Sequence, residues 1–420
     1  MDERINARLA VEALRNGVPS REAVEKLGCN QPKVEEQFIE MLARANDPTS
    51  TAGNSHGMLV SGDFGTGKSH LLTHLEHLAL SRGFVCSKVS ISKETPLYDM
   101  SKVFTSAMEN GRIPGRQGRF IEEIAHALQP DTAEYTSFVH WADEAAENGQ
   151  LSTIFPASLR IHEESHDLEL MSEIEEFWSG DRILIKKIRD GLKLINKAQY
   201  FKVQAPKPAE LPPQRLRFAT ELIKTVGYRG WVVLLDEVEL IGSYSILQRG
   251  RSYAEIARWM GTIAEEVFPG LIFVGAVTDD FATEIISPDG RKKDWDYIPA
   301  KINLNPRYSH LVPRIKTGMK LLEQSNISLE PPSNEDIRAT VETLRDLYRM
   351  AFDWDPPAQE MDVGGAGEWG RMRYKVRAAI NEWDLRRLIP NYRPDITVDE
   401  FTTDYIENLD MEHTAKDDSD

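Results

Sequence analysis

Apolar and polar positions alternate along this chain in three registers. Two uninterrupted apolar runs, "GWVVLLDEVE" at 230–239 and "PGLIFVGAVTDD" at 269–280, read as strands of a parallel sheet buried on both faces. "AEIARWMGTIAEEVF" at 254–268 lies between them with helical spacing. Upstream, "HGMLVSG" at 56–62 reads as a short buried strand entering a glycine-rich turn. "KSHLLTHLEHLALSRG" at 68–83 reads as a helix stopped by Gly83, and "FVCSKVSIS" at 84–92 as another strand. Residues 3–16 and 31–45 carry helical apolar spacing, as in Phe38, Met41 and Leu42. From about 97 to 225 the pattern is helical and strongly charged, with the proline-rich connector "QAPKPAELPPQ" at 204–214. "KINLNP" at 301–306 suggests one more short strand; 309–352 and 371–388 return to helix, with a loop at 353–370. Strand, helix, strand, helix predicts an α/β doubly wound core with a helical insertion and a C-terminal helical domain.

The expected organisation is therefore an N-terminal helical segment (1–50) and a core (51–305) interrupted by the insertion at about 97–225. A C-terminal helical domain (306–400) and an acidic, disordered tail (401–420) follow. No apolar run approaches the roughly 18 residues of a membrane span. The start of the chain has no cleavable signal character. Cys29 and Cys86 are the only cysteines, too few for a disulfide framework or a four-cysteine zinc site. These features predict a cytoplasmic protein. The net charge of −17 repels polyanions at long range, so DNA contact requires a local basic patch or a partner.

Candidate chemistry concentrates in "VSGDFGTGKSH". Gly62, Gly67, Lys68 and Ser69 fit the spacing of a phosphate-binding loop, and Asp63, Phe64, Gly65 and Thr66 complete it, with His70 just inside the helix. Glycines let backbone N–H groups turn toward phosphate oxygens, and the helix N-terminus favours the same anion. Lys68 is expected at the β/γ-phosphates of ATP and the Ser69 hydroxyl in a Mg²⁺ shell. Asp236, ending an apolar strand, is the matching Mg²⁺-supporting carboxylate, and Glu237 is placed as general base for hydrolysis. A water-activating Glu argues against a small-molecule kinase.

Four further features have two readings each. Thr278 either faces the γ-phosphate, if its strand lies between the other two, or caps "DDFATEII". Arg371, Arg373 and Arg377 either report nucleotide state or form a solvated helix face. Arg291 is a candidate arginine finger toward a neighbouring subunit, with Arg249 and Arg251 as rivals. His70, His74 and His77 share a side of one helix at a spacing that can hold a metal, although they flank the buried leucine stripe and are better read as part of its surroundings.

In this order the motifs resemble AAA+ ATPases of the broad group that includes origin-recognition and STAND-type proteins. Longer stretches, among them "VEALRNGVPSREAVEKLG", "GMLVSGDFGTGKSHLLTHLEHLAL", "LLDEVELIGSYSILQRGRSYAEIARWMG" and "INEWDLRRLIP", are similar to the ATP-binding proteins of bacterial BREX phage-defence systems. The resemblance implies an ATPase core, an adenine-wrapping segment with Val18 and Arg21 as contacts, and assembly into homo-oligomers. It also implies action with other defence proteins, such as a helicase-like protein or a methyltransferase, and on DNA directly or through them. The stretch 20–42 also has helix-turn-helix proportions, but Glu35, Glu36 and Glu40 against Lys33 suit phosphates badly. Motor and nucleotide-gated switch share all these motifs; a basic pore loop would favour the motor, and Arg112, Arg116 and Arg119 are its candidates.

Overall fold

The computed structural model describes residues 3–17, 20–45, 56–116, 118–263, 266–357 and 372–389. Its centre is a six-stranded sheet of β1 (Gly57–Ser61), β2 (Val85–Ser90), β3 (Gly111–Arg112), β4 (Trp231–Asp236), β5 (Leu271–Val277) and β6 (Asn326–Ser328). The spatial order is β3-β2-β4-β5-β1-β6, and every neighbouring pair is parallel except β2 with β3. β5 thus runs between β1 and β4, with Val60 opposite Ala276 and Leu235 opposite Gly275. The carboxyl ends of β1, β4 and β5 consequently open on one edge, where doubly wound sheets bind ligands.

The period of two along each strand divides two cores. Val233, Leu235 and Phe273 face one side, toward α5 (Met100–Glu109), α12 (Ile246–Trp259) and α14 (Val312–Gln324). Val232, Leu234, Ile272 and Val274 face the other, toward α3 (Pro32–Arg44) and α4 (Lys68–Ser81). Burial of both faces is why β4 and β5 read as continuous apolar runs.

Between α5 and β4 come α6 (Phe120–His126), α7 (Ala133–Glu147), α8 (Ile154–Glu164), α9 (Leu168–Ser179), α10 (Ile185–Leu194) and α11 (Leu211–Thr225). Phe155, Trp178 and Phe218 pack together there, with ring centroids 5.0 Å apart for Phe155 and Phe218 and 5.5 Å for Trp178 and Phe218. This aromatic cluster is continuous with the sheet core, so the helices of this region share their hydrophobic centre with β4 and β5. The two-residue β3 is an antiparallel edge that the charged, helix-like pattern around it does not reveal.

A third core joins the two ends of the described chain. α1 (Glu3–Arg15) and α2 (Arg21–Leu27) pack with α15 (Asn334–Phe352) and α16 (Met372–Leu388) around Val11, Leu344, Tyr348 and Trp383. Arg8 Nε donates to the Ala351 carbonyl at 2.7 Å, and Arg15 pairs with Asp384 at 2.6 Å.

One predicted strand is corrected. The first half of "KINLNP", Lys301 to Asn303, ends α13 (Asp294–Asn303) and the rest is turn, because Ile298 and Ile302, four residues apart, form a buried helical pair against Gly250 of α12. The sixth strand is "NIS" at 326–328, too short and polar to announce itself. Among the described residues no helix is long and apolar enough to cross a membrane.

Candidate nucleotide-binding cleft

The turn between β1 and α4 is shaped by its glycines. A Cβ on Gly62 would stand 2.6 Å from the Thr66 Oγ1, and Gly67 holds φ 105°, a conformation that side chains resist. Thr66 Oγ1 donates to the Asp63 carbonyl at 2.8 Å. Lys68, buried at the start of α4, donates from Nζ to the carbonyls of Gly62 at 2.8 Å and Asp63 at 3.1 Å. The Gly62 N–H donates to the Val277 carbonyl at 3.2 Å, tying the turn to β5.

A cleft of about 560 Å³ opens over this turn, within the ordinary size range of small-molecule sites. Phe64 to His70 form its floor, and Asp236 and Glu237 at the end of β4 form one wall. Glu237 stands in the left-handed region at φ 60°, where a non-glycine side chain is strained. Burial first, and the neighbouring Asp236 carboxylate second, raise the Glu237 carboxyl above its ordinary range.

Two residues of this wall escape sequence reasoning. Glu239, three positions after Asp236, is buried in the cleft and pushed up to about 7, chiefly by desolvation. Its Oε2 has no hydrogen-bond partner. Lys88 of β2 donates to the Ser69 carbonyl and to Thr73 Oγ1, each at 3.0 Å, and lies 3.8 Å from Asp236 Oδ2. The parallel pairing of Ser90 with Asp236 brings the end of β2 to this wall. The strand alternation of "SKVSIS" is the signal that could have pointed Lys88 out of the core.

The opposite wall comes from both ends of the chain: Leu14, Gly17 and Gly28 to Gln31, then Leu329, Glu330 and α16. Gln31 seals it with a two-way amide contact, donating to the Glu330 carbonyl at 2.9 Å and accepting the Glu330 N–H at 3.0 Å. Arg373 lies over the Phe64 ring at 5.9 Å, and its buried Nε has no hydrogen-bond partner. Gly17 makes this possible, since a Cβ there would lie 2.5 Å from that Nε. The glycine turn and Lys68, with Arg373 and the acidic side chains of Asp236, Glu237 and Glu239 among the lining, fit a phosphate-bearing ligand and its cation. Lys68 and Arg373 can hold phosphate oxygens; Ser69 and Asp236 can hold Mg²⁺.

Arg21 does not line the cleft; it pairs with Glu76, a carboxylate buried in α4 that also draws Arg112 to 3.7 Å. An unpaired buried carboxylate is costly, which accounts for the placement. Val18 and Arg371 lie outside the described residues. Thr278 is buried at the end of β5, between the glycine-turn strand and the Asp236 strand, though not among the side chains facing the cleft; its carbonyl accepts the Phe281 N–H at 3.2 Å. His70 contacts the Gly28 carbonyl at 2.6 Å, His74 contacts Glu35 at 3.4 Å and His77 the Arg21 carbonyl at 3.2 Å, so each links α4 to the N-terminal segment.

The arginine candidates separate clearly. Arg291 is exposed and pairs with Glu284 at 2.6 Å. Arg249 is buried in a two-point pair with Asp294, at 2.9 and 3.1 Å, and so holds α12 to α13. Arg251 lies over the Tyr98 ring. In the proposed basic loop, Arg116 pairs with Glu123 at 3.3 Å and Arg119 with Glu122 at 2.7 Å.

A mostly parallel six-stranded sheet with a glycine turn at its carboxyl edge is an architecture consistent with an AAA+ or P-loop-like core. The family described as BREX system ATP-binding protein BrxC/D matches residues 3–178 and 213–362, and the chain belongs to that family. It is a BREX-system ATP-binding protein. No curated protein and no solved structure matches the sequence.

Proposed function

We propose that this BREX-system protein is a Mg²⁺-dependent ATPase with an AAA+ core, coupling hydrolysis to action on DNA or DNA-bound partners. The observation that carries the reading is the convergence of Lys68, at the start of the helix after β1, and the Asp236–Glu237 pair, at the end of β4, in one cleft at the carboxyl ends of two parallel strands that flank β5. In this reading Lys68 and the turn's N–H groups hold the β- and γ-phosphates of ATP, and Arg373 approaches from α16. Ser69 and Asp236 hold Mg²⁺, which neutralises phosphate charge when bound. Glu237 takes a proton from the water that attacks the γ-phosphorus; the bond to the bridging oxygen breaks, releasing ADP and inorganic phosphate. A carboxyl raised above its ordinary range is a stronger base for that proton.

The adenine falls to the wall made by Gly28 to Gln31. Thr278 acts from β5 through its neighbours. The proposed units are the N-terminal segment 1–50, the core 51–305 with its insertion, and a C-terminal lid unit 306–400, whose first part, α14 and β6, packs with the sheet. Arg291 is proposed to reach a neighbouring subunit's site after exchanging Glu284, in a homo-oligomer that works with other proteins of the defence system.

A nucleotide-gated switch is the second reading, favoured by one observation: α1 and α16 both contribute to the cleft and to the same hydrophobic core, so nucleotide contacts bear directly on the packing of the chain's two ends. Steady-state ATP turnover with and without DNA separates the two. Turnover stimulated by DNA supports the coupled ATPase. Slow turnover indifferent to DNA, with ATP-dependent capture of a partner, supports the switch.

A further inference from the structure

The chain is acidic overall, yet its charge is unevenly spread. Residues 291–320 hold eight Lys and Arg against two Asp, a local +6 in a molecule of −17. One of the two, Asp294, is fully buried against Arg249 and contributes nothing to the surface. Arg291, Lys292 and Arg314 are engaged with neighbouring groups. The other five, Lys293, Lys301, Arg307, Lys316 and Lys320, are exposed and form no ion pair among the described residues.

Their placement follows from helix geometry. Ile298 and Ile302 bury one face of α13, which turns Tyr297, Lys301 and Leu304 outward at a four-then-three spacing. Ile315, Met319 and Leu322 bury α14, leaving Lys316 and Lys320 one turn apart on its exposed side. α13 packs on α14, and the link between them carries Arg307, its guanidinium 5.4 Å over Tyr308. The arginines at 112, 116 and 119 differ, because each already faces a carboxylate.

We infer that the outer face of α13 and α14, with Arg307 between them, binds the phosphate backbone of a nucleic acid. Four of the five unpaired cations are lysines. Lysine is depleted from protein–protein interfaces, whereas unpaired cations at separate points suit a polyanion whose counterions they displace. This surface gives the DNA-directed reading above a place on the chain, and it stands or falls independently of ATP hydrolysis.

The test is fluorescence anisotropy with labelled duplex and single-stranded oligonucleotides across a salt series. It compares the unaltered chain with the quadruple variant Lys301→Gln, Arg307→Gln, Lys316→Gln, Lys320→Gln. The expected result is a slope of log K against log salt flattened by about 3 to 4 for duplex, and affinity at least about tenfold weaker near ~100 mM salt. The all-arginine or all-lysine counterpart at these four positions should keep the binding, and Arg116→Gln with Arg119→Gln should leave it unchanged. ATP binding, measured in parallel, reports that each variant is folded. Unchanged affinity and slope in the quadruple variant would overturn the inference, as would no binding by the unaltered chain at low salt. A change of sedimentation behaviour with DNA binding intact would assign the face to a second copy of the chain and overturn it too. Loss of ATP binding in Lys68→Ala with DNA binding kept would leave this surface standing, and failure of ATP binding in the unaltered chain would count against the nucleotide site alone.

Discussion

Glu237 follows Asp236 in a left-handed conformation, φ 60° and ψ 35°, and donates its backbone N–H to Asp236 Oδ1 at 3.1 Å. The turn that aims two carboxyl groups into one cleft is therefore held against local preference. Asn tolerates this region better than Glu and removes a half-buried acid. Glu237→Asn is expected to raise the urea midpoint, with a gain of about 0.5–1 kcal/mol, while abolishing ATP turnover. A lowered midpoint would show that the Glu side chain stabilises the turn.

Glu239 gives the cleft a pH signature. Its folded value of about 7 lies above the ordinary 4.5, so between them the folded chain retains a proton that the unfolded chain has released. Stability from this group is fully present below the unfolded value and is lost as pH rises through about 7. Glu239→Gln should remove that loss and stabilise the protein at pH ~8 by on the order of 3 kcal/mol, measured by denaturation without nucleotide or Mg²⁺. Equal pH dependence in both proteins would contradict the assignment.

Gly17 and Arg373 act as one unit. At φ 72° with Arg373 Nε 2.5 Å from the position of a Cβ, Gly17→Ala must both strain the backbone and displace the guanidinium. Gly17→Ala and Arg373→Ala should each weaken ATP binding by about tenfold or more, the cost of losing a charge-assisted contact. Calorimetric titration with ATP checks this; an unaltered affinity in Arg373→Ala would remove Arg373 from the site.

Arg249 belongs to stability. Its partner Asp294 is fully buried and also accepts from the Tyr253 hydroxyl at 2.7 Å. Arg249→Ala should cost about 3–5 kcal/mol in urea denaturation by stranding that carboxylate. A small cost would return Arg249 to the candidates for a role between subunits.

The floor of the cleft was legible in the sequence because its signals are local. The glycine spacing from Gly62 to Lys68 and the acids closing the run at Asp236 each need only a few adjacent residues. The far wall was not, because Gln31 meets Glu330 across 299 positions, and no periodicity records which loops converge. The family resemblance implied Arg21 as an adenine contact, and Arg249 stood as a rival finger to Arg291, yet each answers a buried carboxylate that sequence spacing does not reveal. Glu239 was hidden by its closeness to a better-known pair; only its burial distinguishes it. The helical character of "KINLNP" emerged only with Ile298, one turn before the quoted run.

In the proposed function, the cleft over Gly62–Ser69 hydrolyses ATP with Glu237 as base. The most direct measurement is Mg²⁺-dependent phosphate release at saturating ATP, for the unaltered chain beside Glu237→Gln, with ATP binding recorded for both. Steady release by the unaltered chain is expected, with a loss of about 100-fold or more in Glu237→Gln and binding retained. Equal release by the two proteins would contradict it.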